Sequence, residues 1–161
     1  MGVTGCGKST VASKLATTIR ARFCDGDSLH SAESVAKMRR GEPLTDDDRW
    51  PWFARIASFL NDGTGNAVIA CSALKKAYRD YLRREVGNVC FLFLDASPEI
   101  TTQRVSARQG HYMPASLVTS QFAALERPDN EDRVTTISAD TPVESIVHTF
   151  LAELQATHTG N

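Results

Sequence analysis

Near its start the chain reads Gly2-Val3-Thr4-Gly5-Cys6-Gly7-Lys8-Ser9, which fits the pattern G-x-x-x-x-G-K-[ST]. Glycine lets the backbone turn tightly enough for successive N–H groups to converge on phosphate oxygens. A helix starting at this point presents its positive end to the same anion. Lys8 is expected to reach the β- and γ-phosphates, and Ser9 to offer its hydroxyl to Mg²⁺. The segment Gly2 to Thr10 is therefore a candidate ATP cradle, and the chemistry it indicates is phosphoryl transfer. With glycine at about 7% of ordinary sequences, chance produces the pattern in roughly fewer than one in a hundred chains of this size.

A second constellation is Asp25-Gly26-Asp27, which follows the strand-like run Ala21 to Asp25. Carboxylates at i and i+2 at the end of a strand point the same way out of a sheet. One can hold Mg²⁺ through water while the other accepts a hydrogen bond from a substrate hydroxyl. The spacing leaves open which does which. An Asp-Gly turn with two solvated acids is the plainer alternative, and the phosphate cradle in the same chain weighs against it.

Strands and helices alternate around these residues. Val11, Leu15 and Ile19 share one helical face after the cradle. Ser31 to Arg40 reads as a helix stopped by Gly41, and Thr45-Asp46-Asp47-Asp48 as a capped, acidic helix start. Ala67 to Cys71 and Val89 to Leu94 are continuous apolar runs, as expected of strands covered on both faces. Ser72 is expected to cap a helix carrying Leu74, Tyr78, Tyr81 and Leu82. Ser97-Pro98 and Thr141-Pro142 open two further helices in the order cap then proline. Another helix carries Val118, Phe122 and Leu125, and Arg133 to Ser138 forms a last short strand. The pattern predicts an α/β fold of three layers, with a parallel sheet between helices and the chemistry at the carboxyl ends of the strands.

A motif of this kind normally follows a buried strand, and only Met1 precedes Gly2. The expectation from sequence is that the first strand is missing and that the natural chain begins upstream.

The 161 residues are taken as one domain. A net charge of -1 gives no bulk attraction to nucleic acid or to anionic membranes. No apolar run nears the roughly 18 residues of a membrane span, and no basic-then-apolar secretory pattern opens the chain. Cys6, Cys24, Cys71 and Cys90 lack any Cys-x-x-Cys spacing and read as small packed thiols in a reducing compartment. Cytoplasmic residence is the expectation.

Several blocks, in order from the cradle to about residue 130, resemble the gluconate kinase family. They are Gly26-Asp27-x-Leu29-His30, Lys37-Met38, Gly41-x-Pro43-Leu44-Thr45-Asp46-Asp47-Asp48-Arg49 and Pro51-Trp52. Further along come Cys71-Ser72-Ala73-Leu74-Lys75, Tyr78-Arg79-Asp80-x-Leu82-Arg83, Arg108-x-Gly110-His111-x-Met113 and Ser120-Gln121-Phe122 with Leu125-Glu126. These blocks separate the chain from shikimate and adenylate kinases. The resemblance implies ATP-dependent phosphorylation of D-gluconate at its 6-hydroxyl, and it suggests a homodimer.

Under that resemblance Asp27 is the choice for orienting or deprotonating the attacking hydroxyl, and Asp25 for the outer shell of Mg²⁺. Lys8, Asp27 and Arg108 form the candidate catalytic set. Gluconate carries a carboxylate, which a bidentate Arg49 is suited to hold. Lys75 and Arg79, four apart, either extend the anion site or are solvated. His30 either donates to a sugar hydroxyl or caps locally. Arg104 and Arg108 look like part of a lid over about 104–125 that closes on ATP, with Arg108 preferred. Trp50 and Trp52 are read as core packing, with an aromatic wall beside a polyol as the sharper alternative. The competing functions are a kinase for another hydroxy acid such as shikimate, and a nucleotide-binding protein without transferase activity. The guanine-reading Asn-Lys-x-Asp motif does not occur.

Overall fold

The computed structural model describes residues 1–107 and 116–159. Helix α1 (Lys8–Ile19) leads through an αL residue, Arg20, into strand β1 (Arg22–Asp25). A 3₁₀ turn (Gly26–Leu29) and helix α2 (Ala32–Arg39) follow, then helix α3 (Asp46–Asn61). Strand β2 (Ala67–Ala70), helix α4 (Lys76–Val86), strand β3 (Phe91–Asp95) and helix α5 (Pro98–Ser106) continue the alternation. Helix α6 (Ser116–Ala124), strand β4 (Val134–Ser138) and helix α7 (Val143–Thr159) complete it.

The local signals act where the sequence places them. Ser31 and Ser97 accept backbone N–H bonds from Ser34 and Ile100 at their helix starts. Thr45 and Asp48 form a reciprocal capping box, with Asp48 N–H to Thr45 Oγ1 at 3.2 Å and Thr45 N–H to Asp48 Oδ2 at 2.9 Å. Lys37 Nζ donates to the other Asp48 oxygen at 2.7 Å and ties α2 to the start of α3. Lys37 first, then Thr45, holds the Asp48 carboxyl down at about 2.

One sequence expectation is corrected. Ser72 caps no helix. Residues after β2 stay irregular through Lys75, with Ala73 at φ +42°. Helix α4 takes its N-terminal acceptor from far along the chain, Glu126 Oε2 receiving Lys76 N–H at 2.6 Å. The strands are all parallel, as expected of an α/β fold of this kind, and they form two pairs: β1 with β2, and β3 with β4. Met1 and Gly2 bridge the pairs, Leu94 N–H reaching the Met1 carbonyl at 3.0 Å and Gly2 N–H reaching the Ser72 carbonyl at 3.1 Å.

Two apolar layers flank the strands. One packs Val11, Leu15, Ile146 and Phe150 from α1 and α7, and the other packs Trp52, Phe53, Ile56 and Leu82 from α3 and α4. Among the described residues no helix is long and apolar enough to cross a membrane.

Candidate active site

The cradle is built into the core. Val3, Thr4 and Cys6 are buried, and Lys8 folds back so that its Nζ donates to the Val3 carbonyl at 2.9 Å. Gly5 has φ +80°, and a Cβ there would lie 2.9 Å from the Thr101 carbonyl of α5, so only glycine fits both the turn and the contact. Gly7 is the αL residue that opens α1. Thr10 is exposed on its first turn.

Strand β1 delivers the acidic pair. The Ser9 hydroxyl donates to Asp25 Oδ2 at 2.6 Å, and Asp27 N–H donates to Asp25 Oδ1 at 3.1 Å. Gly26 permits this turn because a Cβ there would fall 2.6 Å from the Ala70 carbonyl of β2. Asp25 thus lies against Ser9, while Asp27 faces a cavity it shares with Thr4, Lys8, His30, Arg49 and Trp52.

Helix α3 closes the other side of that cavity. Its capping box fixes the first turn, and Arg49 follows directly, with Nε donating to the Leu44 carbonyl at 3.3 Å. The neighbouring carboxylates are engaged elsewhere: Asp48 with Lys37, and Asp46 with Lys75 Nζ at 2.7 Å and with the Tyr78 hydroxyl. Trp52 packs in the core and also lines the cavity. It is buried, its Nε1 donates to the Gly26 carbonyl at 2.7 Å, and its ring stacks on His30 at 4.3 Å between centroids.

His30 is held neutral. Burial, followed by the like charges of Arg49 and Arg55, lowers its pKa from 6.5 to about 4. Its Nδ1 is buried without a hydrogen-bond partner. The unfolded chain therefore binds a proton between pH 4 and 6.5 that the folded chain refuses. Stability from this group is complete above pH 6.5 and declines as pH falls toward 4. Urea unfolding of the wild type and of His30→Gln over pH 4 to 7 checks this, with a shallower acid-side decline expected for the variant.

Two residues expected in the anion site are placed elsewhere. Lys75 is the residue before α4, at φ -90° and ψ 146°, so it does not share a helix face with Arg79. It pairs with Asp46 and is absent from the cavity lining. Arg79 is 1% exposed and faces the protein interior. Its Nη1 donates to the Ala73 and Leu74 carbonyls, both at 2.9 Å, and its Nη2 to the Glu126 carbonyl at 2.9 Å. Nε and Nη2 also engage the Glu131 carboxylate. With its donors committed to protein acceptors, Arg79 is a structural cation that ties α4 to the segment after α6.

Arg104 turns toward the loop after β4, with Nη2 to Asp140 Oδ1 at 3.3 Å. Arg108, and with it the central part of the lid expectation, lies outside the described residues.

The cavity also contains residues that the sequence did not place in the site. Gln121 Oε1 accepts the Thr4 N–H of the cradle at 2.7 Å, joining α6 to the phosphate loop. Ser72, Ser120 and Leu44 line the wall as well. The Ser-Gln-Phe block was visible in the sequence, but its partner lies 117 positions away.

A family model described as Shikimate kinase matches residues 4–155. The thermosensitive gluconokinase of Escherichia coli is 46% identical over 136 residues, covering 83% of this chain and 73% of that protein. The crystal structure of a gluconokinase from Sinorhizobium meliloti 1021 superposes with a TM-score of 0.88 at 40% identity, covering 100% of this chain and 95% of the other. Shikimate kinase from Aquifex aeolicus superposes at 0.65 with 19% identity, over 100% of this chain and 97% of that one, which is a likeness of fold alone. With a P-loop kinase fold, and gluconokinase relatives matching it over most of its length, the chain belongs to the gluconokinase branch of the shikimate kinase-like family.

Proposed function

We infer that this protein transfers the terminal phosphoryl group of ATP to the 6-hydroxyl of D-gluconate. The observation that carries the reading is the convergence of Lys8, Asp27, His30 and Arg49 on one cavity beside the phosphate cradle. The relatives named gluconokinase supply the substrate.

The residue roles follow from chemistry. Backbone N–H groups of the cradle and Lys8 bind the nucleotide phosphates. Asp27 accepts the proton side of the attacking hydroxyl and orients it in line. Arg49 holds the gluconate carboxylate at the far end. Neutral His30, with a buried ring nitrogen lacking a partner, pairs with a substrate hydroxyl. Trp52 walls the polyol. Ser9 and Asp25 bring two hard oxygen donors together at 2.6 Å, a set suited to Mg²⁺, directly or through water. A divalent cation bound there neutralises phosphate charge. We place the enzyme in the cytoplasm, where ATP and reduced thiols both occur.

ADP release from MgATP, measured with D-gluconate, with shikimate and without acceptor, tests the reading. Release that requires gluconate supports it. Release with shikimate alone, or at equal rates without any acceptor, overturns it. Arg49→Lys keeps the charge but loses the fork. It is expected to raise KM for gluconate by about tenfold or more while kcat changes less, since one charge-assisted hydrogen bond contributes roughly 1.5–3 kcal/mol.

A further inference from the structure

One peptide unit of the phosphate cradle is held from both sides. The Val3 carbonyl accepts from Lys8 Nζ at 2.9 Å and from Cys6 N–H at 3.4 Å. The N–H of the same unit, on Thr4, donates to Gln121 Oε1 at 2.7 Å. A trans peptide is planar, and its C=O and N–H point opposite ways. Whatever fixes the direction of the Thr4 N–H therefore fixes the direction of the Val3 carbonyl, the acceptor on which Lys8 rests. The Thr4 N–H can only donate, so the oxygen of the Gln121 carboxamide is the atom that meets it.

Both ends of this bond are firmly seated. Val3 and Thr4 are buried, so bulk water competes poorly for the amide. Gln121 comes from α6, where Val118 is buried. Phe122 and, just past the helix, Leu125 pack against the apolar cluster that contains Val3. Positions 118, 122 and 125 form one helical stripe, and Gln121 stands at its edge, where its side chain reaches the cradle. The packing that holds α6 thus also sets the distance from Gln121 to the Thr4 amide.

We propose that Gln121 is a positioning residue for phosphoryl transfer: it sets the orientation of the Val3–Thr4 peptide and, through it, the place from which Lys8 addresses the phosphates. Lys8 must present its charge where charge develops in the transition state, and a displacement of about 1 Å can cost about 10²-fold in rate. Without the Gln121 oxygen the peptide turns its N–H toward another acceptor and swings the Val3 carbonyl away from Lys8. The assignment rests on the kinase reading above. It gives Gln121 no contact with gluconate, although the residue lines the cavity.

The test compares the wild type with Gln121→Met, which matches glutamine in length but has no oxygen, and Gln121→Glu, which keeps one. Thr4 amide exchange, Tm, and kcat and KM with MgATP and gluconate are read for all three, the kinetics well below the lowest Tm. Gln121→Met is expected to speed Thr4 exchange by about tenfold or more and to lower kcat by about 10²-fold, with KM for gluconate within about twofold. Gln121→Glu is expected to keep Thr4 exchange slow and kcat within about tenfold of the wild type, since its carboxylate accepts the same N–H. A raised gluconate KM with little change in kcat makes Gln121 a substrate contact and overturns the proposal. An unchanged kcat beside faster Thr4 exchange or a lower Tm makes the bond purely structural and also overturns it, as does a Glu variant no better than the Met one. A wild type that transfers nothing to gluconate defeats the substrate reading alone. Thr4 exchange in the Met variant then decides the proposal, and unchanged exchange overturns it.

Discussion

Asp27→Asn is expected to lower kcat by about 10²–10⁴-fold, the range for removing a positioned general base, while leaving the dissociation constant for ATP within about threefold. The amide is nearly isosteric, so the cavity wall keeps its shape, but it no longer offers a carboxylate to the attacking hydroxyl. The neighbouring acid provides the control. Asp25 lies against Ser9 rather than in the cavity. Asp25→Asn is therefore expected to act mainly on the Mg²⁺ concentration needed for half-maximal rate. Steady-state rates of both variants over a Mg²⁺ titration separate the two roles. If Asp25→Asn abolishes turnover at saturating Mg²⁺ and Asp27→Asn does not, the assignments are reversed.

Arg79→Met is expected to destabilise the fold by about 3–5 kcal/mol, because it leaves the Glu131 carboxylate and three carbonyls without the cation that joins them. For a chain of this length that is a fall in Tm of about 10 °C or more. Glu131 retains Arg83 at 2.9 Å, which limits the loss. Arg79→Lys restores charge but cannot serve four acceptors from one planar fork, so it is expected to recover only part of the stability. Gluconate KM, measured well below the lowered Tm, is expected to stay within about twofold, since Arg79 does not face the cavity. A variant with wild-type Tm and a much higher KM would return Arg79 to the substrate site. Arg49→Lys gives the opposite pair of readings, so the two arginines test each other.

The contrast between those arginines shows where sequence reading stops. Both lie in family-like blocks, and both are cations near an expected anion site. Arg49 follows a capping box that fixes it within a few residues, and the box itself is written in consecutive positions 45–48. The environment of Arg79 is set by Glu126 and Glu131, which lie 47 and 52 positions away. The spacing of Lys75 and Arg79 suggested one helix face, but the chain turns helical only after Lys75, where Glu126 supplies the acceptor for Lys76. Helical periodicity cannot anticipate an acceptor that arrives from another part of the chain.

Features that depend on a few consecutive residues were determined by the sequence by itself. The phosphate cradle, the caps at Ser31, Thr45 and Ser97, the acidic pair after β1 and the gluconokinase kinship all belong here, because glycine freedom, capping and local spacing act over one turn of chain. Only the tertiary structure decided which acid meets Ser9, that Trp52 walls the cavity, that Gln121 holds the Thr4 amide, and that the strands pair two by two. Those outcomes depend on which distant groups come within hydrogen-bond range once the apolar layers pack. Desolvation then favours pairing a buried donor with the acceptor that packing brings near, whatever its distance along the chain.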